Sequence, residues 1–459
     1  MADFKLEEIL VATGGSLVTS GAFDTLVTGI CTDSRKLEPG QAFLALRGEN
    51  FDGHTFLAEA SQKGASVLIV AQAEHLPPGV PAVLVTDTLS ALGSLARYHR
   101  QRFSIPVIAI TGSNGKTSTK EMTAAVIGSV WRTVKTEKNF NNEVGLPMTL
   151  LGMDQSTQAC VVEMGMRGPG QIRSLAAIAQ PTIGIITNVG VTHMELLGSQ
   201  AAIAQAKGEL AEALPDDGIL VLNGDDPWVT AMDRRSRARA YRFSLEKPTD
   251  LYLVEREPKN DGQQLVVDGA WGRFSLFLPA YGRYNAANAL AAALAGLALG
   301  ISPEKVAEGL ARLTMVEGRL RLKTAPSGLR ILDDTYNSSP PAVEAALEAM
   351  DGLDGNGRRI AVLGDMLELG EIAHQAHAEV GRMLARHRVD QLYAFGPLSR
   401  EMAAAAGELG LASRHYLEME ALLADLLPEV APEDLILVKG SRGMRMERVV
   451  QALLGRDEA

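Results

Sequence analysis

Gly112-Ser113-Asn114-Gly115-Lys116-Thr117-Ser118 holds two glycines within a turn, then a lysine and two hydroxyls. Glycines let backbone N–H groups converge on an anion, a lysine reaches terminal phosphates, and a threonine hydroxyl can ligate Mg²⁺. The general pattern G-x-x-x-x-G-K-[ST] wants glycine at position 110, where Ile110 stands; the first glycine comes at Gly112, so this is a variant phosphate loop. Other residues could join it. Glu163 ends the run ACVVE and reads either as an oxygen ligand for Mg²⁺ beside Thr117 or as a carboxylate at a helix N-terminus. His193 follows IGIITNVGVT and reads as a site residue or a satisfied structural histidine. Lys207, on alanine-rich sequence, reads from spacing alone as a surface lysine. Asn285 and Asn288, three apart, can cap a helix or face a base or ribose.

The pattern that must position these groups is alternating strand and helix. Val107–Ile110 is a β-branched apolar run of the kind found in buried parallel strands, and Met122, Ala125 and Val126 after the loop recur at helical spacing. Strand, glycine turn and helix in that order favour phosphate binding over a chance Gly-Lys-Thr. Further strands are expected at 131–135, 159–163, 183–187 and 219–223, a helix at 199–214, and an antiparallel extension over 238–278. In parallel sheets ligands bind beyond the carboxyl ends of the strands, so polar residues after each strand should converge. The chain is therefore expected to be α/β with three domains. These are a small mixed N-terminal domain (1–105), a central phosphate-loop domain with a mainly parallel sheet (106–316), and a C-terminal Rossmann-like domain (317–459).

Within 1–105, strands are expected at 26–31, 42–46, 67–70 and 83–85, a helix at 55–62, and a linker helix at 87–103. Asp33-Ser34-Arg35 and the stretch Arg47-Gly48 to Asp52-Gly53-His54 follow two of these strands, as binding loops or solvated turns. In 317–459, strands are expected at 329–333, 360–363, 391–395 and 435–438; His374 and His377 lack the carboxylate spacing of a zinc site and read as helix surface.

A net charge of −11 argues against nucleic acid or anionic lipid as partners. No run of apolar residues is long enough to span a membrane, and the start MADFKLEEIL is unlike a signal peptide, so a cytoplasmic protein is expected. Cys31 and Cys160 are far apart in apolar surroundings and are expected to be buried thiols.

Together TGSNGKTST, EKNFNNEVGLP, VVEMG, AKGE, YNAANALAAA, EGR, DDTYNSSP and KGSRGMRME resemble the Mur ligases, ATP-dependent amide-forming enzymes of peptidoglycan stem-peptide synthesis, across the whole chain. DDTYNSSP and LGDMLELG look most like the member that adds D-alanyl-D-alanine; the Asp-Asn-Pro-Arg motif of the member adding a diamino acid is missing. The resemblance implies that Gly112 to Ser118 cradle ATP, that Thr117 and Glu163 hold one Mg²⁺, that His193 helps hold a second, and that Lys207 carries a CO₂-derived carbamate. It implies that Arg319 approaches the γ-phosphate, that Asn285 and Asn288 lie toward the adenine, and that Asp334 and Tyr336 close the nucleotide site. Tyr284 stands where the family often has histidine. Lys116, Glu163, His193, Lys207 and Arg319 would be catalytic. Asp33, Ser34, Arg35, Arg47, Gly48, Asp52, Gly53 and His54, with Asn141 and Asn142, would hold the uridine diphosphate of the acceptor. The implied reaction joins D-alanyl-D-alanine to UDP-N-acetylmuramoyl-tripeptide through an acyl phosphate, in a monomer. Another Mur-type or folylpolyglutamate-type ligase is the neighbouring alternative. A switch NTPase, or a non-catalytic nucleotide-sugar module, leaves Lys207 or Glu163 without a role.

Overall fold

The run Val107–Thr111 is buried along its whole length, and parallel strands take both of its edges. The structure, a computed structural model, describes residues 3–48, 51–138, 140–190, 197–259, 261–314 and 317–455. Val107–Thr111 lies inside a nine-stranded sheet whose spatial order is Phe274–Leu278, Gly262–Gly269, Leu251–Lys259, Arg239–Ser244, Ile219–Asn223, Ile183–Ile186, Val107–Thr111, Ala159–Glu163 and Thr133–Lys135. Pairing is parallel from the Thr133 edge to Leu251–Lys259 and antiparallel over the last two strands. From Val107–Thr111 the chain runs to the far edge at Thr133–Lys135, returns through Ala159–Glu163, and then crosses to Ile183–Ile186 on the other side. The connections therefore diverge at the carboxyl end of Val107–Thr111, which opens a crevice there. Glu163 pairs opposite Ile110 and Ile186 opposite Thr111, so residues just beyond both flanking strands meet the glycine loop.

Alternation along the strands supplies two faces. Ile108 and Ile110 pack with Met122 and Val126 of the helix Lys116–Gly128 and with the alanine-rich helix Arg283–Ala298. Val107, Ala109, Cys160 and Val162 face the other way, into a cluster that also holds Leu92, Leu95 and Ala96 of the helix Thr88–Arg100 together with Val67, Ile69 and Val83. The stretch expected to link the first two domains is thus part of a core they share. Asp87 caps that helix by accepting from the Ser90 N–H at 2.8 Å. At its other end the buried Arg100 guanidinium donates to the carbonyls of Ala179 (3.0 Å), Phe103 (2.6 Å) and Gln180 (3.2 Å). Arg100→Ala strands these acceptors and is expected to cost about 2–4 kcal/mol of stability, read as a lower urea midpoint. An unchanged midpoint would mean that the helix is a loose linker after all.

The first unit is a five-stranded sheet in the order Ser16–Leu17, Ala82–Leu84, Val67–Val70, Ala42–Leu44, Ile30–Cys31, parallel except for the first pair. The expected strand 26–31 is two pieces. Leu26–Val27 pairs with Phe4–Lys5 in a separate ribbon, because Gly40 and Ala42 take the intervening Thr28 N–H and Gly29 carbonyl.

The third unit is a six-stranded sheet, Arg321–Thr324, Arg330–Asp334, Leu435–Lys439, Arg359–Gly364, Gln391–Phe395, Ala412–Tyr416, parallel except at its first edge strand. Asp334 pairs opposite Lys439 at adjacent strand ends. His377 is not on the helix surface: it is fully buried, accepting the Met366 N–H on Nε2 (2.9 Å) and donating from Nδ1 to the Ala373 carbonyl (2.7 Å). His374 is exposed as expected. Cys31 and Cys160 are buried free thiols. Among the described residues no helix is long and apolar enough to cross a membrane.

Candidate active site

The glycine loop is held in shape by its own surroundings. Beyond the strand Ile183–Ile186, the Asn188 carbonyl accepts the Ser113 N–H (2.9 Å), Asn188 Oδ1 accepts the Asn114 N–H (2.9 Å), and the Thr187 hydroxyl donates to the Asn114 carbonyl (2.7 Å). Gly112 comes so close to Thr187 that a Cβ there would sit 1.9 Å from Oγ1. Gly115 is left-handed at φ 80°, and a Cβ on it would lie 2.5 Å from Asn288 Oδ1. These contacts explain both glycines, including the one displaced from the general pattern. Gly112→Ala is expected to push Thr187 away and weaken nucleotide binding by at least about tenfold in titration calorimetry. Unchanged affinity would contradict that reading of the loop.

From this loop Lys116 curls back, donating to the carbonyls of Gly112 (2.8 Å) and Ser113 (3.2 Å). Burial pulls its pKa below the ordinary lysine range, against the attraction of Glu163. Thr117 is buried in the first turn of the helix, whose free N–H groups and dipole favour an anion. Glu163 is 1% exposed; Oε1 accepts from Asn141 Nδ2 at 2.7 Å, and the buried Oε2 has no hydrogen-bond partner among the described residues. A carboxylate oxygen left bare in this way suits a hard cation with oxygen ligands.

Residues of the third unit form the opposite wall of a cavity of about 240 Å³ over the loop. Arg319 stacks on the Tyr336 ring at 3.9 Å, and its buried Nε has no partner among the described residues. Asp334 is spoken for on both oxygens: Oδ1 accepts the Leu320 N–H (3.1 Å) and Oδ2 pairs with the buried Lys439 ammonium. Asn285 and Asn288 line the same cavity, but Asn285 bonds the Tyr281 carbonyl (2.9 Å) and Asn288 accepts from Thr119 (3.2 Å). Asn288 therefore buttresses the loop, while the partly exposed Tyr284 lies in the cavity wall.

A second, larger cavity of about 1100 Å³ adjoins the first, and the two share Lys116 and Asn141 in their walls. Lys207 lines it and is 1% exposed, unlike the surface lysine its spacing suggested. The expected helix 199–214 breaks at Gly208, and Lys207 is the last residue of its first half, Gln200–Lys207, which Ser199 caps. Burial, with repulsion from Lys116, holds the Lys207 amine well below the ordinary lysine range. No hydrogen bond or ion pair joins it to another described residue.

Asn142 caps the helix Gly145–Leu151, accepting the Gly145 N–H at 2.9 Å. The clusters at Asp33-Ser34-Arg35 and Arg47–His54 follow adjacent parallel strands and so share one sheet end, but none of their described residues lines the two cavities. Asp33 pairs with Arg35, and Ser34 bonds Glu59 at 3.3 Å. His54 Nδ1 lies 2.6 Å from Asp52 Oδ1 and its Nε2 accepts the Ala71 N–H (3.0 Å), which fixes the orientation of that ring. Gly48 and Gly53 complete the turns. His193 lies outside the described residues.

Sequence reasoning missed Thr187, Asn188 and Lys439 as parts of this site. Each immediately follows or ends a strand, so the rule that polar residues converge at strand ends could have found them.

A glycine loop at the switch point of a parallel sheet, faced by Arg319 and Lys439 of the third unit and adjoining a second cavity, has the form of an anion-binding loop of a P-loop protein. The family comparisons agree in every unit. The Mur ligase family catalytic domain matches residues 26–100, the Mur ligase middle domain 110–296, and the Mur ligase glutamate ligase domain 318–442. The chain belongs to the Mur ligase family. It is 39% identical over 443 residues to UDP-N-acetylmuramoyl-tripeptide–D-alanyl-D-alanine ligase of Bacillus subtilis (strain 168), covering 96% of each chain. The crystal structure of MurF from Acinetobacter baumannii superposes with a TM-score of 0.91 at 31% identity, covering 99% of this chain and 100% of that one. That of MurF ligase from Thermotoga maritima in complex with ADP gives 0.83 at 29% identity, covering 93% and 97%.

Proposed function

We propose that this protein is an ATP-dependent, ADP-forming ligase that joins D-alanyl-D-alanine to UDP-N-acetylmuramoyl-tripeptide, in the cytoplasm and as a monomer. The observation that carries the reading is the meeting of two cavities at Lys116, one over the phosphate loop and one beside Lys207, in a chain so similar to such ligases along its whole length. ATP lies with its phosphates on the Gly112–Ser118 loop, and the acceptor carboxylate reaches Lys116 from the larger cavity. The carboxylate oxygen attacks the γ-phosphorus, ADP leaves, and the amine of the dipeptide then displaces phosphate from the acyl carbon. Lys116 and Arg319 neutralise charge on the transferring group, and the third domain excludes water.

Thr117 and Glu163 would hold Mg²⁺, with His193 at a second ion; the unpartnered Glu163 oxygen supports the first site. Bound there, the metal would supply positive charge to phosphate oxygens. Lys207 has the character that carbamate formation needs: a depressed pKa leaves an amine lone pair to add to CO₂ with release of a proton, giving an anionic oxygen ligand in place of a cation. Asp334 and Tyr336 complete the nucleotide wall, which Asn285 and Asn288 also line. Exposed Arg35 and Arg47, at one sheet end with Asp33, Ser34, Gly48, Asp52, Gly53 and His54, suit the uridine diphosphate of the acceptor.

The test is ADP release with each substrate alone and with both. Sustained release is expected only with UDP-N-acetylmuramoyl-tripeptide and D-alanyl-D-alanine together, and turnover with ATP alone would overturn the assignment.

A further inference from the structure

The larger cavity is built almost entirely by the central domain; among the described residues that line it, only Glu368 comes from the third. Glu368 belongs to the stretch LGDMLELG after the strand Arg359–Gly364 and has a left-handed backbone, φ 63°. A non-glycine residue keeps that conformation only where its surroundings impose it. Here they do. The three preceding N–H groups are each tied to a different element: Asp365 to the Phe395 carbonyl (3.1 Å), Met366 to His377 Nε2 (2.9 Å) and Leu367 to Ser441 Oγ (2.8 Å). The buried Asp365 carboxylate also receives the N–H groups of Leu398 (3.2 Å) and Ser399 (2.7 Å). A rigid loop therefore presents an exposed carboxylate that has no hydrogen bond or ion pair among the described residues.

The cavity's charges are divided between its walls. Lys116, Arg167 and Lys207 stand on the central side, suited to the acceptor's carboxylates, while Glu368 is the acid on the other domain. An acyl group activated at Lys116 has its phosphate toward the central loop, so the nucleophile must arrive from the third-domain side. We propose that Glu368 binds the ammonium group of the incoming amine substrate and holds its nitrogen beside the activated carboxyl, which it attacks as the free amine once a proton has passed to water. The inference rests on the ligase reading above and names the residue that selects the amine. Glu143, the cavity's other acid, lies on the central side and is assigned no part in this selection.

Glu368→Gln preserves size and removes the charge. Steady-state kinetics on the variant, with its fold checked by circular dichroism, is expected to give a KM for D-alanyl-D-alanine raised about tenfold or more, with KM for the UDP-linked acceptor and for ATP unchanged. Glu368→Asp, which keeps the charge on a shorter arm, is expected to recover part of the loss. A dipeptide analogue with hydroxyl in place of the amine, used as a competitive inhibitor, should bind the wild type and the Gln variant alike. An unchanged KM for the dipeptide would overturn the proposal, and so would a raised KM for the acceptor, which would place the side-chain ammonium of the acceptor's third residue there instead. Wild-type protein inactive with both substrates would overturn the ligase reading itself.

Discussion

Glu163→Gln is expected to lower kcat by about a thousandfold or more while leaving the ligand-free protein at least as stable as the wild type. The two halves of this result have one cause. Glu163 Oε2 is buried without a hydrogen-bond partner among the described residues, so the free protein leaves unsatisfied an oxygen that a cation would satisfy. Glutamine still presents an oxygen to Asn141, so the local hydrogen bond survives, but it offers a cation no charge. Loss of a charge-stabilising group of this kind is worth roughly 10²–10³ in rate, and loss of an ion that it would hold adds more. Thermal unfolding with and without Mg²⁺ and a non-hydrolysable ATP analogue checks the binding half: Mg²⁺ should raise the wild-type midpoint further than that of the variant. A variant that keeps activity within a few-fold would remove Glu163 from the metal site.

Lys207→Ala is expected to fall by a similar factor, and acetate or propionate at millimolar concentration should restore part of the activity. The side chain is fully buried, lines the larger cavity and lies near enough to Lys116 for the two charges to repel. A lysine kept there as a cation would work against any metal or phosphate nearby, whereas its carbamate would act with them. Truncation leaves room for a small carboxylate to stand in for the missing group. Lys207→Met, which fills that space, should be equally inactive yet not rescued, and it should be no less stable because it removes a buried amine that has no partner among the described residues. Absence of rescue in the alanine variant would count against the carbamate.

The parts of the site that could be read from the chain were those fixed by local geometry. Strand, glycine turn and helix at 107–128 make a phosphate loop whatever surrounds them, and ACVVE ends a strand wherever it lies in the sheet. Burial could not be read the same way. Lys207 and His377 sit in polar or alanine-rich helical sequence, and only the packing of distant segments against them shows that one is buried against the larger cavity and the other braces a loop. Pairing across the sheet was equally hidden: Lys439 meets Asp334, over a hundred residues earlier in the chain, because their strands are neighbours in the sheet order. Edge strands such as Arg321–Thr324 and Ala412–Tyr416 were missed because one-sided burial leaves them largely polar. The expected linker at 87–103 is amphipathic like any surface helix, but its apolar face closes a core common to two sheets.

In the proposed reaction a substrate carboxylate, activated by ATP at Lys116, becomes an acyl phosphate before the amine attacks. Turnover of UDP-N-acetylmuramoyl-tripeptide labelled with ¹⁸O in its terminal carboxylate tests this most directly, with the released phosphate analysed by mass spectrometry. One ¹⁸O atom is predicted in each phosphate from doubly labelled acceptor, since the oxygen that attacks phosphorus leaves with it. Phosphate free of ¹⁸O, with ADP and product formed at the normal rate, would contradict the account.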